Sequence, residues 1–549
     1  ESESRGLGDV YKRQLLDFTG KSIVVAGDNL PEEVHVAVNA LNVLLGAEKL
    51  YTSEYQGKAL VEFSDLTDIT VLAKSLQENK VGVFLAIDAN PVFDFGSKVK
   101  LGEAIAKADV SVSLALSLDE TAAVTQWALP INHALEAWGE TSDLPGVINL
   151  QQPLIAPLYN SRQSEDILIA LVEEKAYADT LYREFVKNFL KTEVYTNTGS
   201  LLDSTTFWNS ALHDGFVKVA KIVEPRSAFQ ETALIAAAKT PISPVSEYTV
   251  VLKQSNSIGD GTLANIGWLQ ELPDPISKIT WDNYASMSPA TMKKLGLMLY
   301  PNSGDYDYDL IDIDINGRKV TIPAFAQPGL AEGIVSICLG YGRTHGGIVL
   351  EGVGFDANSL LGLDGFSPTI FADAKVTRGT GSYQLASTQE HNALDLDSMP
   401  VTTVGAIAGF IFAGDSDIKP LKELIKDAHL TRGIVKEATL EEYQKDHHVI
   451  GHKSHLPTFT MDRPHKYTGV KWEMLIDQNK CTGCGECVIS CNVENNIPVV
   501  GKDQVIKGRE MHWLRIDRYY AGTPEDPQVS TQPMFCLLYT SDAADDGLS

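Results

Sequence analysis

No run of this chain is apolar over the ~18–20 residues that a membrane-spanning helix needs. The longest apolar stretch, residues 401–413, is too short and is interrupted by Gly405 and Gly409. Any membrane link would therefore come through partners or through sequence outside this segment. Positive charge is also scarce: 45 Lys and Arg stand against 72 Asp and Glu, a net charge of −27. That deficit argues against a nucleic-acid partner, whose phosphates need cations. It suits a basic protein partner, such as a small cytochrome, although acidic balance is also common in ordinary soluble proteins. Cysteine is rare, with six residues in 549, and all but Cys338 lie at or beyond residue 481. Such crowding reports metal binding and says little about disulfides. There is no C-x-x-C-H, so no covalent c-type haem is signalled.

What the chain does have is Cys481-Thr-Gly-Cys484-Gly-Glu-Cys487-Val-Ile-Ser-Cys491, a C-x2-C-x2-C-x3-C run. One small ion cannot reach all four thiolates without strain. The spacing suits an iron–sulfur cubane: a loop wraps three corners, and the fourth Cys leaves on a helix to ligate a neighbouring cluster. Zinc is the rival, but zinc sites use two separated Cys/His pairs. Four unrelated buried cysteines is the blandest reading. Gly483 and Gly485 fit the cluster, because a loop crowded against inorganic sulfide needs small residues and unusual backbone angles. Under this pattern Cys481, Cys484 and Cys487 need a distant fourth ligand, and Cys491 needs three cysteines of a second cluster. Cys338 and Cys536 cannot supply them, so the motif reads as half of a two-cluster module. Residues 1–14 and 537–549 bear no relation to what adjoins them and resemble translated sequencing-adapter read-through. The expectation is a segment from about residue 15 to 535 or 536, cut at both ends.

The length suits roughly three domains. Residues 21–28 read as a buried strand, 31–47 and 66–79 as helices, and 81–88 and 109–116 as further strands. This rhythm implies an α/β, doubly wound parallel sheet with ligand loops at the strand carboxyl ends. Asp28 and the stretch 88–90 sit at two such ends, where a cofactor could be met or a plain turn made. His133 and Glu136 form a possible catalytic pair, or part of a packed loop. Residues 165–192 read as amphipathic helix broken near Ala178, and 201–216 as another helix. From residue 246 short strands take over, with Asn316-Gly317 between two alternating runs as a hairpin signal. The loop Gly340-Tyr-Gly-Arg-Thr-His-Gly-Gly347 suits a tight barrel turn better than a phosphate site, since it lacks the strand–loop–helix context. Residues 289–297 read as a short helix inside this barrel-like region. His447, His448, His452, His455 and His465 crowd a polar connector, more readily a solvated linker than a metal site.

The blocks Leu263-Ala-Asn-Ile-Gly-Trp-Leu-Gln-Glu-Leu-Pro-Asp-Pro-Ile276, Trp281-Asp-Asn-Tyr284, Ser288-Pro289, Pro328-Gly329 and Leu339-Gly-Tyr-Gly-Arg-Thr344 together resemble the rear half of the molybdopterin oxidoreductase family. The cysteine run, continued by Glu494-Asn-Asn-Ile-Pro-Val-Val-Gly-Lys502 and Gly508-Arg-Glu-Met-His-Trp-Leu-Arg-Ile-Asp-Arg-Tyr-Tyr520, resembles the ferredoxin-like electron-transfer subunit of the same enzyme group. Most members carry these on two polypeptides. Their fusion is similar to the large iron–sulfur subunit of alternative complex III, a quinol:cytochrome c oxidoreductase. The resemblance implies a molybdopterin-type α/β domain over residues 15–240 and a β-barrel-like C-terminal domain of that family over 241–415. A linker over 416–467 and the start of a ferredoxin-like α+β iron–sulfur domain over 468–536 would follow.

It also implies an electron relay. The molybdopterin-type part would be a vestigial scaffold without molybdenum or bound pterin. Several [4Fe–4S] clusters in the full-length protein would carry electrons, with Cys481, Cys484, Cys487 and Cys491 as cofactor and metal ligands and no catalytic residue assigned. The partners would be a membrane quinol-binding subunit and multihaem cytochrome subunits, and the place the periplasmic face of a bacterial inner membrane. Two other readings stay open: a catalytic molybdenum oxidoreductase acting on polysulfide or sulfur oxyanions with a fused relay, and an iron–sulfur scaffold without turnover. Pro533-Met-Phe-Cys536 would resemble the start of a next cysteine motif. Cys338 reads as a small core residue.

Overall fold

A computed structural model describes residues 12–27, 30–50, 66–142, 146–219, 229–240, 246–301, 307–362, 369–389, 438–447, 449, 468–470 and 476–535. Asp28, His448, His452, His455, His465, Cys536 and the stretches 401–413 and 421–429 lie outside the described residues. The chain divides into two compact units.

The first unit comprises residues 1–244, 344–347 and 361–370. Its parallel sheet has the order β1 (Val83–Ile87), β2 (Val110–Ala115), β3 (Trp127–Pro130). Strand β1 alternates exposed and buried residues. Its inward Phe84 and Ala86 pack with Ala73 and Leu76 of helix α1 (Leu66–Gln77) and with Leu101, Ala104 and Ile105 of helix α2 (Leu101–Ile105). Burying Phe84, Leu76, Leu101 and Ile105 stabilises this layer by roughly 1.5–3 kcal/mol each. The sequence pattern predicts helices on both faces. Among the described residues the other face of β1 is open, with Val83, Leu85 and Ile87 each at least 36 % exposed.

Of the expected strand over 21–28, the described residues 21–27 form none. Residues 22–27 run unpaired with any strand, and Val25 is 80 % exposed. The reason is visible: the side-chain amide of Asn42 both donates to the Val24 carbonyl and accepts from the Val24 N–H, satisfying the backbone locally. Beyond β3 comes an antiparallel sheet of β4 (Gly139–Thr141), β5 (Val147–Gln151) and β6 (Phe216–Lys218). It packs Ile148 and Val217 against Tyr182, Val186, Phe207 and Trp208 from the helices Leu181–Phe189 and Ser204–Asp214.

The second unit holds residues 245–343, 348–360 and 371–549. Its centre is a closed six-stranded barrel. The order is β10 (Asp307–Ile315), β11 (Arg318–Ala326), β9 (Ala285–Met287), β12 (Ile334–Cys338), β7 (Tyr248–Lys253), β13 (Ile370–Gln384) and back to β10; a separate short pair, β8 (Ile279–Thr280) and β14 (Ala386–Ser387), lies outside it. Asn316-Gly317 turns β10 into β11 as expected, both with positive φ. Ile311, Ile313, Ile315, Ile322, Val335, Ile337, Val250 and Leu252 fill the interior, all fully buried. Strand β13, at 15 residues the longest, is not evident from the sequence. Its Gly379 sits where β10 shifts register, and a Cβ there would lie 3.1 Å from the Leu310 carbonyl oxygen.

The glycine-rich loop is close packing rather than a phosphate cradle. Gly342 has φ +76°, and a Cβ on it would stand 2.2 Å from the Asp356 nitrogen. Gly342→Ala is expected to destabilise this unit by about 3 kcal/mol or more, combining backbone strain with a backbone clash. Urea unfolding followed by tryptophan fluorescence checks this; a change below ~0.5 kcal/mol would count against the packing account.

Candidate iron–sulfur site

The loop begins at a turn in which the backbone N–H groups of Lys480 and Cys481 donate to the Asp477 carbonyl. Gly483 (φ +71°) and Gly485 (φ +85°) then take left-handed conformations. A Cβ at Gly483 would meet the Thr531 methyl at 2.8 Å, and one at Gly485 would meet Leu272 at 3.2 Å. Thr531 and Leu272 pack directly onto these two positions, so side chains there would collide with them as well as strain the left-handed backbone. Gly485 ends the loop as the residue before helix α3 (Glu486–Glu494). Val488 is buried with Leu272, Leu514 and Ile516, and this apolar seam fixes the helix. The seam joins it to a hairpin of β15 (Leu514–Gly522) and β16 (Pro527–Phe535).

The four cysteines fall into two environments. Cys481, Cys484 and Cys487 are near enough to influence one another. Burial pushes the Cys487 thiol up, the charges of Cys484 and Cys481 add to this, and the N–H groups of Cys487 and Val488 oppose it. Cys484 and Cys487 are exposed. Cys491, one helical turn beyond Cys487, packs instead beside the Leu272–Leu514 seam. Two side chains donate to these cysteine sulfurs: Thr531 Oγ1 lies 3.7 Å from Cys481 Sγ, and Asn495 Nδ2 lies 3.6 Å from Cys491 Sγ. Among the described residues no three His, Cys, Asp or Glu side chains gather as a site for a single metal ion. A cubane takes each thiolate at a separate corner. The left-handed glycines, the donors on the sulfurs and the soft thiol set fit such a group.

Cys484 also lines a small cleft of about 30 Å³, partly open to solvent, with Ser255, Asp274, Asp282, Tyr284, Cys338 and Tyr341. Cys338 packs against the cluster of Ile258, Tyr341 and Leu350, and burial pushes its thiol up to about 11.

Around the site the barrel holds the cysteine-bearing segment through buried polar groups. Glu271, 3 % exposed, accepts from the N–H groups of Val500 (3.1 Å) and Gly501 (2.8 Å) and from Trp281 Nε1 (3.3 Å). Trp268 Nε1 donates to the Ile497 carbonyl at 2.6 Å. Lys502 Nζ sits 2.6 Å from Asp282, donates to the Tyr383 hydroxyl at 2.8 Å and lies 4.0 Å from that ring's centre. The fully buried Arg518 donates from Nε to the Ile276 carbonyl at 2.7 Å, and its backbone exchanges hydrogen bonds with the Gln389 amide. None of these partners is near the other in sequence, and local pattern gives no sign of them.

The other candidates resolve into structure. Glu136 accepts from the N–H groups of His133 and Leu158, and His133 Nδ1 accepts from Leu135, closing a capping box on a short 3-10 turn. Those hydrogen bonds hold the Glu136 carboxyl below its ordinary value. Asn90 donates to Glu120 and accepts from Thr121, while Glu120 accepts from the N–H groups of Thr344 and His345. A carboxylate of the chain itself thus occupies the Thr344 and His345 amides of the glycine-rich loop.

No family model matches the chain. It is similar to two subunits of menaquinone reductase from Nitratidesulfovibrio vulgaris. The iron–sulfur cluster-binding subunit is 38 % identical over 69 residues, 12 % of this chain and 27 % of that subunit. The molybdopterin-binding-like subunit is 24 % identical over 355 residues, 59 % of this chain and 46 % of that subunit. The chain therefore spans less than half the length of either. Acetylene hydratase from Pelobacter acetylenicus aligns in structure with a TM-score of 0.40 at 14 % identity, over 56 % of this chain and 46 % of that one. No helix among the described residues is long and apolar enough to cross a membrane.

Proposed function

We propose that the chain is the electron-relay subunit of a membrane quinol-oxidising complex of the alternative complex III kind, in which a molybdopterin-type barrel carries an iron–sulfur segment. One observation carries the reading. A single chain is similar to two separate subunits of one menaquinone reductase, and its cysteine run sits on a segment packed against the barrel by Glu271, Lys502 and Arg518. A bound [4Fe–4S] cluster supplies a one-electron carrier, with its potential set by burial, charge and hydrogen bonds to sulfur. Cys481, Cys484 and Cys487 would hold one such cluster, and Cys491 would reach into a second. Gly483 and Gly485 keep the loop clear, Val488 and Leu272 exclude water on one side, and Thr531 and Asn495 donate to ligand sulfurs. Quinol would be oxidised at a membrane partner, and haem subunits would take the electrons onward. The net charge of −27 suits a basic cytochrome as the final acceptor.

The test is iron and molybdenum content of the complex purified from its source. Abundant iron with no molybdenum is the expected result. Near-stoichiometric molybdenum would overturn the relay reading in favour of a molybdenum-dependent reductase with a fused relay. A complex without iron would overturn both.

A further inference from the structure

We infer that Thr531 sets the reduction potential of the cluster held by Cys481, by donating its hydroxyl hydrogen to that sulfur. The inference rests on the relay reading above and deepens it by naming a residue that tunes one cluster and not the other.

The geometry comes first. Thr531 Oγ1 is 3.7 Å from Cys481 Sγ, and the hydroxyl makes no other hydrogen bond among the described residues. A cysteine sulfur bound to iron carries no proton, so it can only accept, and the hydroxyl must donate. The side chain has little freedom to turn away. Threonine is branched at Cβ and stiff at χ1. Its methyl sits over Gly483, where a Cβ would come within 2.8 Å of it. Turning the hydroxyl away from Cys481 would also move the methyl off Gly483.

The strand under Thr531 is fixed as well. Thr531 pairs with Arg518 across the hairpin, and buried Arg518 is held by the Ile276 carbonyl and the Gln389 amide. The next residue, Gln532, exchanges amide hydrogen bonds with Gln478, in the turn that leads into Cys481 (3.0 and 3.4 Å). Donor strand and acceptor loop are thus tied on both sides of the contact.

The consequence is electrostatic. The couple is a one-electron change; no bond to Thr531 forms or breaks and no proton leaves the hydroxyl. The reduced cluster holds more negative charge on its sulfurs, so a donor favours it and raises the potential. Asn495 gives the contrast. Its Nδ2 lies 3.6 Å from Cys491 Sγ but also donates to the Cys491 carbonyl at 2.9 Å, from an exposed position. It addresses the other cluster, with a shared and solvated donor.

The experiment is a potentiometric titration of the intact complex followed by EPR, with iron content measured alongside, for wild type, Thr531→Val and Thr531→Ser. Valine keeps the shape and removes the donor; serine keeps the donor and removes the methyl. The expected result is full iron in both variants, one cluster shifted to lower potential in T531V, its potential unchanged in T531S, and all other clusters unmoved. An unshifted T531V would overturn the inference. Equal shifts in both variants would assign the effect to methyl packing and overturn it too. Loss of the cluster from T531V alone would make the hydroxyl a retaining group rather than a tuning one, again overturning it. Wild-type complex without iron would overturn the relay reading itself.

Discussion

In the intact complex, Cys487→Ala is expected to lose about four iron atoms per chain and Cys491→Ala a different four, leaving distinct EPR signals in each. The structure separates the two thiols despite their helical spacing of four residues. Cys487 stands exposed at the loop with Cys481 and Cys484, whereas Cys491 lies one turn on, against Leu272 and Leu514. In the proposed relay either loss would interrupt a chain of one-electron carriers, so quinol-driven reduction of the acceptor is expected to fall by orders of magnitude. Cys338→Ala serves as the comparison: its thiol packs with Ile258 and Tyr341, and the variant should keep full iron. Iron analysis and EPR of the three purified variants decide the matter. If C487A and C491A lost the same signal, all four thiolates would surround one site, and the two-cluster reading would be wrong.

How much of this was legible beforehand depended on how local the determinants were. The cysteine run is a contiguous loop and helix turn, so its loop-to-helix geometry was readable from spacing alone. The β10–β11 hairpin was equally plain, because Ile311, Ile313 and Ile315 alternate with Asp312 and Asp314 before Asn316-Gly317. Strand β13 has little sequence signature because Gly379 and Gly381 interrupt its alternation, and glycine is disfavoured inside strands, yet Gly379 allows close approach of the Leu310 carbonyl. Residues 22–27 failed in the opposite sense: an apolar run suggested a strand, but Asn42 completes its hydrogen bonds without a sheet. His133 and Glu136 could be read as a catalytic pair or as part of a packed loop; they close a capping box, since side chains three apart at a turn are well placed to bond the backbone. Thr531 and Lys502 had no local signature at all. Their partners are separated from them by long stretches of chain, and only the tertiary fold brings a hydroxyl to Cys481 or an ammonium to Asp282.

Lys502→Met is expected to destabilise the second unit by about 3–5 kcal/mol, the cost of leaving a buried carboxylate without its counter-ion. The Asp282 side chain is 1 % exposed and Lys502 26 %, so solvent screens the pair weakly. Tyr383 accepts from Lys502 and donates to Asp282 at 3.0 Å, which completes the set. Burial works against the Lys502 charge, but the charge and hydrogen bond of Asp282 and the Tyr383 hydroxyl outweigh it and raise the pKa above its ordinary 10.5. A raised lysine contributes stability that is whole below the unfolded value and lost as pH rises through the folded one. On the lysine side the pair therefore holds across neutral pH and is lost in strong alkali; burial pushes the Asp282 carboxyl up, so the pair also loses its charge as pH falls through that raised value. Lys502 lies one residue beyond Gly501, whose N–H donates to Glu271, so the damage should appear first where the iron–sulfur segment meets the barrel. Hydrogen exchange at the Val500 and Gly501 amides is expected to quicken by about a hundredfold or more, at roughly 1.4 kcal/mol per tenfold. Adding Asp282→Asn to K502M should recover much of the loss, because no charge then remains buried. If K502M left both exchange and the urea midpoint unchanged, Asp282 would be compensated without Lys502, and the ion pair would not be what joins the segment to the barrel.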